Sequence, residues 1–297
     1  MIVCLNGGLI PEGEAVLGAT HPGLLLGAGV FETLRAVWGV GFLLERHYAR
    51  LAAGAERIGT SVPFGLEELA EYVRQLGEVN RCEEGRVRIT LVRGREGEGE
   101  ARADFVIQVS PLGPQPAGWR ATCAAAGRAA HSPLAGVKST SYLDYLLLRE
   151  GAVRQGFQEA LLLDERGRLV EGAASNVFLV QHGRIATPEE RTGLLPGITR
   201  GFLLENLAGW GWSVREATLS LADLEAADEV FCSNAVVGVM PVSHVEGKAL
   251  GSLSAGSISR QVAAAYRQAR EDYVEAARGG EGRPPCQAGE SKIVWDG

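Results

Sequence analysis

Three of the 29 basic side chains are lysines, Lys138, Lys248 and Lys292; the other 26 are arginines. Arginine can replace lysine as a surface charge, but it keeps its proton and cannot act as an amine nucleophile. Lys292 lies in a polar stretch near the C-terminus, and Lys248 sits in VEGKALG, which reads as an exposed hairpin turn. Lys138 differs from both. It follows an apolar, glycine-containing approach (PLAGV) and precedes Ser139-Thr140-Ser141 and a helical pattern. An amine in partly apolar surroundings has a lowered pKa, because desolvation disfavours the ammonium, and such an amine can form a Schiff base with a carbonyl. The alternative is a surface lysine at a strand end, and the local sequence leaves both open.

Two further stretches have chemical potential. Glu171 in RLVEGAASNVFLV enters a turn of small residues. It either caps that turn or forms a buried anion able to face a cationic ring nitrogen. Leu195-Pro196-Gly197-Ile198-Thr199-Arg200 reads as a loop running into a helix. The first N–H groups of such a helix are unsatisfied and can hold a phosphate, to which the Thr199 hydroxyl could add. Arg50 could contribute a charge to the same anion, or lie on a solvated helix face. The glycine- and glutamate-rich loop 94–102 is no dinucleotide fingerprint, since its acids would repel a pyrophosphate and no βαβ unit surrounds it.

These residues need elements to position them. Strands are expected at 2–5, 29–37, 86–93 and 104–110, with helices at 44–58 and 66–78. On the first helix Leu44, Tyr48, Leu51, Ala55 and Ile58 share a face. Residues 111–119 (PLGPQPAGW) hold three prolines and two glycines and read as a linker. The pattern then restarts, with strands at 120–126, 159–163, 168–171, 176–180, 228–233 and 239–245 and helices at 142–155, 198–208 and 256–276. The expected organisation is a small N-terminal domain (1–110), an interdomain linker (111–119), a large domain (120–276) and a loose tail (277–297). Two α+β domains would leave a cleft between them, a favoured place for a small molecule.

Composition narrows the classes. The formal charge of −7 argues against a general binder of nucleic acid or anionic membrane. With 46% hydrophobic and 22% charged residues the chain matches globular usage, which argues against disorder throughout. No run of about 18 apolar residues exists, and MIVCLNGGLI lacks the basic lead of a secretory signal, so a cytoplasmic protein is expected. The five cysteines form no CxxC pair and the five histidines no HExxH, so neither a disulfide framework nor a metal site is expected.

The order of the motifs adds to their separate weights. GVFETLR, HYARL, the lone lysine with its hydroxyl neighbours, EGAASNVF, LLPGITR, and ADEVFCSN with VMPV follow one another from about residue 3 to about residue 265. The series resembles the class IV (fold type IV) pyridoxal-phosphate enzymes, which include branched-chain aminotransferases, D-amino-acid aminotransferases and 4-amino-4-deoxychorismate lyases. The resemblance implies a two-domain α+β fold with a small N-terminal α/β domain and a larger, barrel-like, cofactor-binding C-terminal domain. It also implies a homodimer and pyridoxal 5'-phosphate as cofactor. Lys138 would bind the cofactor covalently and shuttle protons, and Glu171 would pair with the pyridine nitrogen. Arg50 would hold the phosphate with the N–H groups of Ile198 and Thr199 and the Asn234-Ala235 segment. Tyr142 would lie near the ring, Thr33 would act in catalysis beside the lysine, and Arg88 would meet a substrate carboxylate.

The branch follows from the substrate side. Where D-amino-acid aminotransferases hold the substrate carboxylate with tyrosine, arginine and histidine, this chain has Phe31, Glu98 and Glu100, and two carboxylates would repel that group. Branched-chain enzymes typically show FEG and a Thr-Ala-Ala-Glu-like stretch, where this chain has Phe31-Glu32-Thr33 and Ala235-Val236-Val237-Gly238. Lyases typically carry FET or FTT and Asn-Ala or Asn-Ser near VMPV, and this chain has Thr33 and Asn234-Ala235. The DRG…YGDG stretch common in the family is replaced by His21-Pro22-Gly23 and Leu26-Gly27-Ala28-Gly29. The leading expectation is a lyase acting on 4-amino-4-deoxychorismate in folate biosynthesis. A transaminase acting on branched-chain or related amino acids is the alternative, and a cofactor-free interaction module is the third.

Overall fold

The computed structural model describes residues 1–94, 103–125 and 132–279. Glu98, Glu100, the far end of the expected 120–126 strand and most of the expected tail lie outside these residues.

The first part of the chain runs β1 (Ile2–Leu5), β2 (Gly8–Pro11), α1 (Pro22–Leu25), β3 (Gly29–Val37), β4 (Val40–Gly41), α2 (Leu44–Arg57), α3 (Leu66–Val79), β5 (Glu84–Arg93) and β6 (Ala103–Pro111). Its strands form one antiparallel sheet in the order β2-β1-β6-β5-β3-β4. Period-2 alternation sorts the faces. Leu34 of β3, Val87, Ile89 and Leu91 of β5, and Ile107 and Val109 of β6 pack against Leu51, Leu69, Val73 and Leu76 from the two long helices. Burying each such aliphatic side chain contributes about 1.5–3 kcal/mol. The residues between them (Phe31 and Thr33 on β3, Arg86 and Arg88 on β5) look away from the helices.

No regular element spans 112–118, and the second part then begins. It runs β7 (Trp119–Ala125), α4 (Leu143–Arg154), β8 (Glu159–Leu163), β9 (Arg168–Gly172), β10 (Asn176–Gln181), β11 (Arg184–Pro188), α5 (Ile198–Asn206), β12 (Val214–Ala217), β13 (Leu219–Ser220), α6 (Leu221–Ala226), β14 (Glu229–Asn234), β15 (Gly238–Val245), β16 (Lys248–Ala249) and α7 (Ile258–Gly279). Nine strands follow the order β12-β11-β10-β14-β15-β7-β8-β9-β13, with β16 paired to β15. The sheet is mixed, β15, β7 and β8 being parallel neighbours. It curls so far that β9 and β10, five places apart in this order, are linked by the short turn 173–175. Inside the curl lie Leu161, Leu169, Val177, Leu179, Leu219 and Val230. Outside it, Phe178, Phe231, Phe202 of α5 and Tyr266 and Tyr273 of α7 form a second core. β10 is buried on both faces, which is why NVFLV reads as a continuous apolar run.

Helices packed on two separate sheets, one antiparallel and one mixed and curled, agree with the expected α+β fold. Lys248 closes the exposed β15–β16 hairpin. No helix among the described residues is long and apolar enough to cross a membrane.

Candidate active site

A cavity of about 770 Å³ opens between the outward face of the six-stranded sheet and the curled sheet. All ten residues singled out from the sequence line it: Thr33, Arg50, Arg88, Lys138, Tyr142, Glu171, Ile198, Thr199, Asn234 and Ala235.

Lys138 is half-buried and belongs by sequence to the second part, yet its main chain is tied to the first. Its carbonyl accepts the Phe31 N–H at 2.9 Å, Val30 and Ser139 form an isolated bridge, and the Thr140 N–H donates to Gly29 at 2.9 Å. This pairing fixes the base of the side chain, and the amine lies 4.6 Å from the centre of the Phe31 ring. The amine forms no ion pair among the described residues. Its pKa is pushed down to about 8, chiefly by burial, with Arg50 and Arg88 adding to the shift and Glu32 and Glu171 opposing it. With a pKa near 8, about a tenth of such an amine is unprotonated at pH 7, far more than for an ordinary lysine, and that fraction is what a nucleophile and a proton acceptor require.

Glu171 is 4% exposed and aims away from its own turn. Its oxygens accept from the Tyr145 hydroxyl at 3.0 Å and from the Leu195 N–H at 3.0 Å. The aim has a backbone cause. β8 and β9 pair as Leu162 with Glu171 but Leu163 with Leu169, so Val170 is bulged out of the ladder. A bulge beside a site re-aims the next side chain. Tyr142 stacks on Tyr145, ring centres 5.1 Å apart, and meets Phe31 edge to face at 5.6 Å.

The far end of the cavity is built for an anion. Gly197 precedes α5 with no side chain, and a Cβ there would collide with the Asn176 amide. The N–H groups of Ile198 and Thr199 open the helix, whose first N–H bond back along the chain runs from Gly201 to Gly197. Arg50 reaches this end from α2, and its Nη1 donates to the Pro196 carbonyl at 2.8 Å. Its Nε and Nη2 donate to the two oxygens of Glu32 at 2.7 and 2.8 Å. Of five guanidinium N–H groups these contacts use three. The Asn234 side chain turns inward, accepting from the Val236 and Val237 N–H groups and donating to the Ala174 carbonyl. It therefore shapes the loop whose residues Asn234 and Ala235 line the cavity.

Four contributors escaped the sequence reading. Glu32 is 1% exposed, and besides Arg50 it accepts from the equally buried His47, whose Nδ1 lies 2.7 Å away. Burial alone would raise the Glu32 carboxyl, but Arg50 and His47 outweigh it and hold the pKa at about 2. Burial lowers the His47 pKa, opposed by Glu32, and the nearby Arg50 and Lys138 charges act in the same direction as burial. A signal existed: Glu32 alternates with Val30 and Leu34 on the helix-facing side of an apolar strand, and an acid there needs a cation. Ser233, on the cavity wall, has a buried Oγ with no hydrogen-bond partner. The fourth is Tyr145, one helical turn from Tyr142 and so on the same face.

The substrate-side residues are arranged differently. Arg88 lies opposite Thr33 in the β3–β5 register, with its guanidinium 3.9 Å from the Phe31 ring centre and its Nε donating to Thr90 at 3.3 Å. Neither Arg88 nor Arg86 meets a carboxylate among the described residues. Burial, with Arg86 nearby, lowers the Arg88 pKa.

Comparison with known proteins agrees with this architecture. A model of the class IV amino-transferases matches residues 29–245. The chain belongs to the class IV aminotransferase family. A Methanocaldococcus jannaschii protein that carries a provisional branched-chain-amino-acid aminotransferase name is 31% identical over 92% of this chain and 98% of its own length. An aminodeoxychorismate lyase of Bacillus subtilis is 28% identical over 87% of this chain and 91% of its own. The crystal structure of a branched-chain aminotransferase from Thermoproteus uzoniensis with norvaline superposes with a TM-score of 0.83 at 30% identity, covering 91% of this chain and 94% of that one. This class IV enzyme uses pyridoxal 5'-phosphate, which sets aside the cofactor-free module. The cavity suits that group. Among the described residues it offers an amine without an ion pair for the aldehyde, a Ser233 hydroxyl without a hydrogen-bond partner and a guanidinium with two uncommitted N–H groups for the phosphate, and a buried carboxylate for the ring nitrogen.

Proposed function

We propose that this class IV enzyme is a 4-amino-4-deoxychorismate lyase, which releases pyruvate and leaves 4-aminobenzoate for folate synthesis. The observation that carries the reading is Thr33. Its hydroxyl-bearing side chain lines the cavity opposite Arg88 and two residues from the Phe31 ring that the Lys138 amine overlies. An enzyme that only moves an amino group has no need of a hydroxyl donor there, whereas a lyase must place and protonate a leaving enolpyruvyl group.

In this reading Lys138 would hold the cofactor covalently. Arg50, the Ile198 and Thr199 N–H groups and the Asn234-Ala235 segment would grip its phosphate, Tyr142 would stand near the ring, and Glu171 would keep the ring nitrogen protonated. The bound cofactor supplies an electron sink for charge developing on the amine-bearing carbon. Arg88 fixes a substrate carboxylate and so the orientation of the ring. The Lys138 amine would take the proton from that carbon. The adjacent C–O bond breaks, the ring becomes aromatic, and the enolpyruvyl group gains a proton, guided by Thr33, to leave as pyruvate. No acceptor or water is consumed.

The second reading is an aminotransferase for branched-chain or related amino acids, favoured by the names of the Methanocaldococcus and Thermoproteus relatives. One assay separates them. Purified holoenzyme given 4-amino-4-deoxychorismate alone should form pyruvate and 4-aminobenzoate in equal amounts. Product only from branched-chain amino acids with 2-oxoglutarate, as glutamate, sinks the lyase reading.

The same reading includes a homodimer. Leu24, Leu25 and Leu26 at α1 and Leu143, Leu146 and Leu147 on α4 are exposed, and the two stretches adjoin where the Gly27 carbonyl accepts from the Thr140 and Ser141 hydroxyls. A second copy covering these leucines accounts for their exposure. Light scattering should give twice the chain mass, and a monomer at micromolar concentration refutes it.

A further inference from the structure

A buried carboxylate outside the expected set stands behind the site. Glu159 on β8 is 1% exposed and forms no ion pair among the described residues. One oxygen accepts from the Ala160 N–H at 3.0 Å. The other accepts from the Ser175 hydroxyl at 2.7 Å and lies 3.4 Å from the Ala174 nitrogen. Burial pushes its carboxyl up, with the Ser175 and Ala160 hydrogen bonds and then Arg149 of α4 acting against the shift; the Cys232 thiol on β14 is raised by burial first and by Glu159 second. Burying such a group costs several kcal/mol that its hydrogen bonds offset only in part, and an apolar residue would fill the space more cheaply.

The Ser175 hydroxyl and the Ala174 nitrogen belong to the turn 172–175, closed by the Gly172 N–H on the Ser175 carbonyl at 2.6 Å. Three walls of the cavity hang from that turn. The Ala173 carbonyl accepts from the Tyr142 hydroxyl at 2.5 Å. The Ala174 carbonyl accepts from the Asn234 amide at 3.1 Å. Asn176, just beyond, donates to the Leu195 carbonyl at 2.9 Å. Glu171 directly precedes the turn, so its aim is set by the bulge on one side and by this turn on the other. Gly172 leaves room for the brace: a Cβ there would strike the Ser175 hydroxyl and lie 3.0 Å from the Glu159 carboxyl carbon.

We propose that Glu159 is a positioning residue for the cofactor ring: by holding the 172–175 turn it keeps Glu171 and Tyr142 aimed into the cavity. The inference rests on the reading of Glu171 as the partner of the ring nitrogen.

The test uses the holoenzyme and its cofactor-free form in parallel. Glu159→Gln keeps the shape but gives up one acceptor oxygen, and Gly172→Ala pushes the Ser175 hydroxyl off the carboxylate from the other side. Cofactor-free protein is melted, pyridoxal-phosphate affinity is titrated by fluorescence, and the pH midpoint of the visible cofactor band is recorded, with Glu171→Gln as reference. Both variants should melt close to the parent, bind pyridoxal phosphate about tenfold or more weakly, and move the band midpoint in the direction that Glu171→Gln moves it. A lowered melting temperature with unchanged affinity and midpoint makes Glu159 a brace of the sheet alone and overturns the proposal. An unmoved midpoint in Glu171→Gln itself overturns the reading of Glu171, and the proposal with it. Should Glu159→Gln fail to fold, Ser175→Ala, which removes one donor and adds no strain, gives the same three readings.

Discussion

The two ends of the cavity handle charge in opposite ways. At the α5 end Arg50 is already neutralised, gripped by both oxygens of Glu32, with His47 behind. At the β5 face Arg86 and Arg88 meet no acid among the described residues, and Arg88 rests on an aromatic ring instead. A prepaired cation is held rigidly and needs little reorganisation to receive an anion. An unpaired one raises the local potential and binds best whatever brings its own carboxylate. The first arrangement suits a resident group, the second a passing one.

The amine between these ends should give the largest effect. Lys138→Ala is expected to slow turnover by about ten-thousandfold, and Lys138→Arg should be no better, because guanidinium keeps its proton. In cofactor-free enzyme the Lys138 amine should titrate near pH 8, read by mass-mapped acylation across pH. Arg88→Leu removes a nearby cation and should raise that midpoint. A midpoint at the ordinary lysine value would show that neither burial nor the flanking arginines act on it.

Glu32→Gln should come next, costing about 3 kcal/mol of folding stability because it breaks a pair whose acid is fully buried and leaves a half-buried guanidinium uncompensated. The sign with pH follows from the depressed pKa. The contribution of Glu32 is fully present above about pH 4.5 and fades as pH falls towards 2, so parent and variant should converge in acid. Urea unfolding at pH 7 and pH 3 checks this, and a constant gap between them would contradict the paired-carboxylate account.

The smallest effect sharpens the comparison most. Arg88→Leu should leave cofactor retention unchanged and raise KM by about 10- to 100-fold, the range for a lost charged hydrogen bond. Arg50→Leu should do the reverse, releasing pyridoxal phosphate on gel filtration. If both variants lose cofactor equally, the division between the two ends is wrong.

Much of this was readable from the chain because its signals are local. Glycine and proline mark the turns, the 3.6-residue pattern of α2 gives its buried face, and the motif order brings ten scattered residues to one cavity. What escaped depends on pairing across the fold. Glu159 and Ser233 look like ordinary strand residues until the sheet curls and sets one against the turn and leaves the other facing the cavity. RIATP and VREA hold few apolar residues and so leave no strand signal for β11 and β12, and their parallel pairing is made only after α5 has crossed between them. On α4 only Ala152 is buried, so its leucines signal a helix without saying what covers it.

The stitch between Lys138 and the start of β3 reaches beyond geometry. The reactive amine is encoded after the 112–118 connection but is anchored to a strand encoded before it. Cutting the polypeptide at that connection would yield two fragments, neither with a competent nucleophile: one would own the side chain and the other the scaffold that aims it. A recombination event swapping either half alone would have to preserve a main-chain register at Val30 and Ser139, a constraint that no comparison of side chains would reveal.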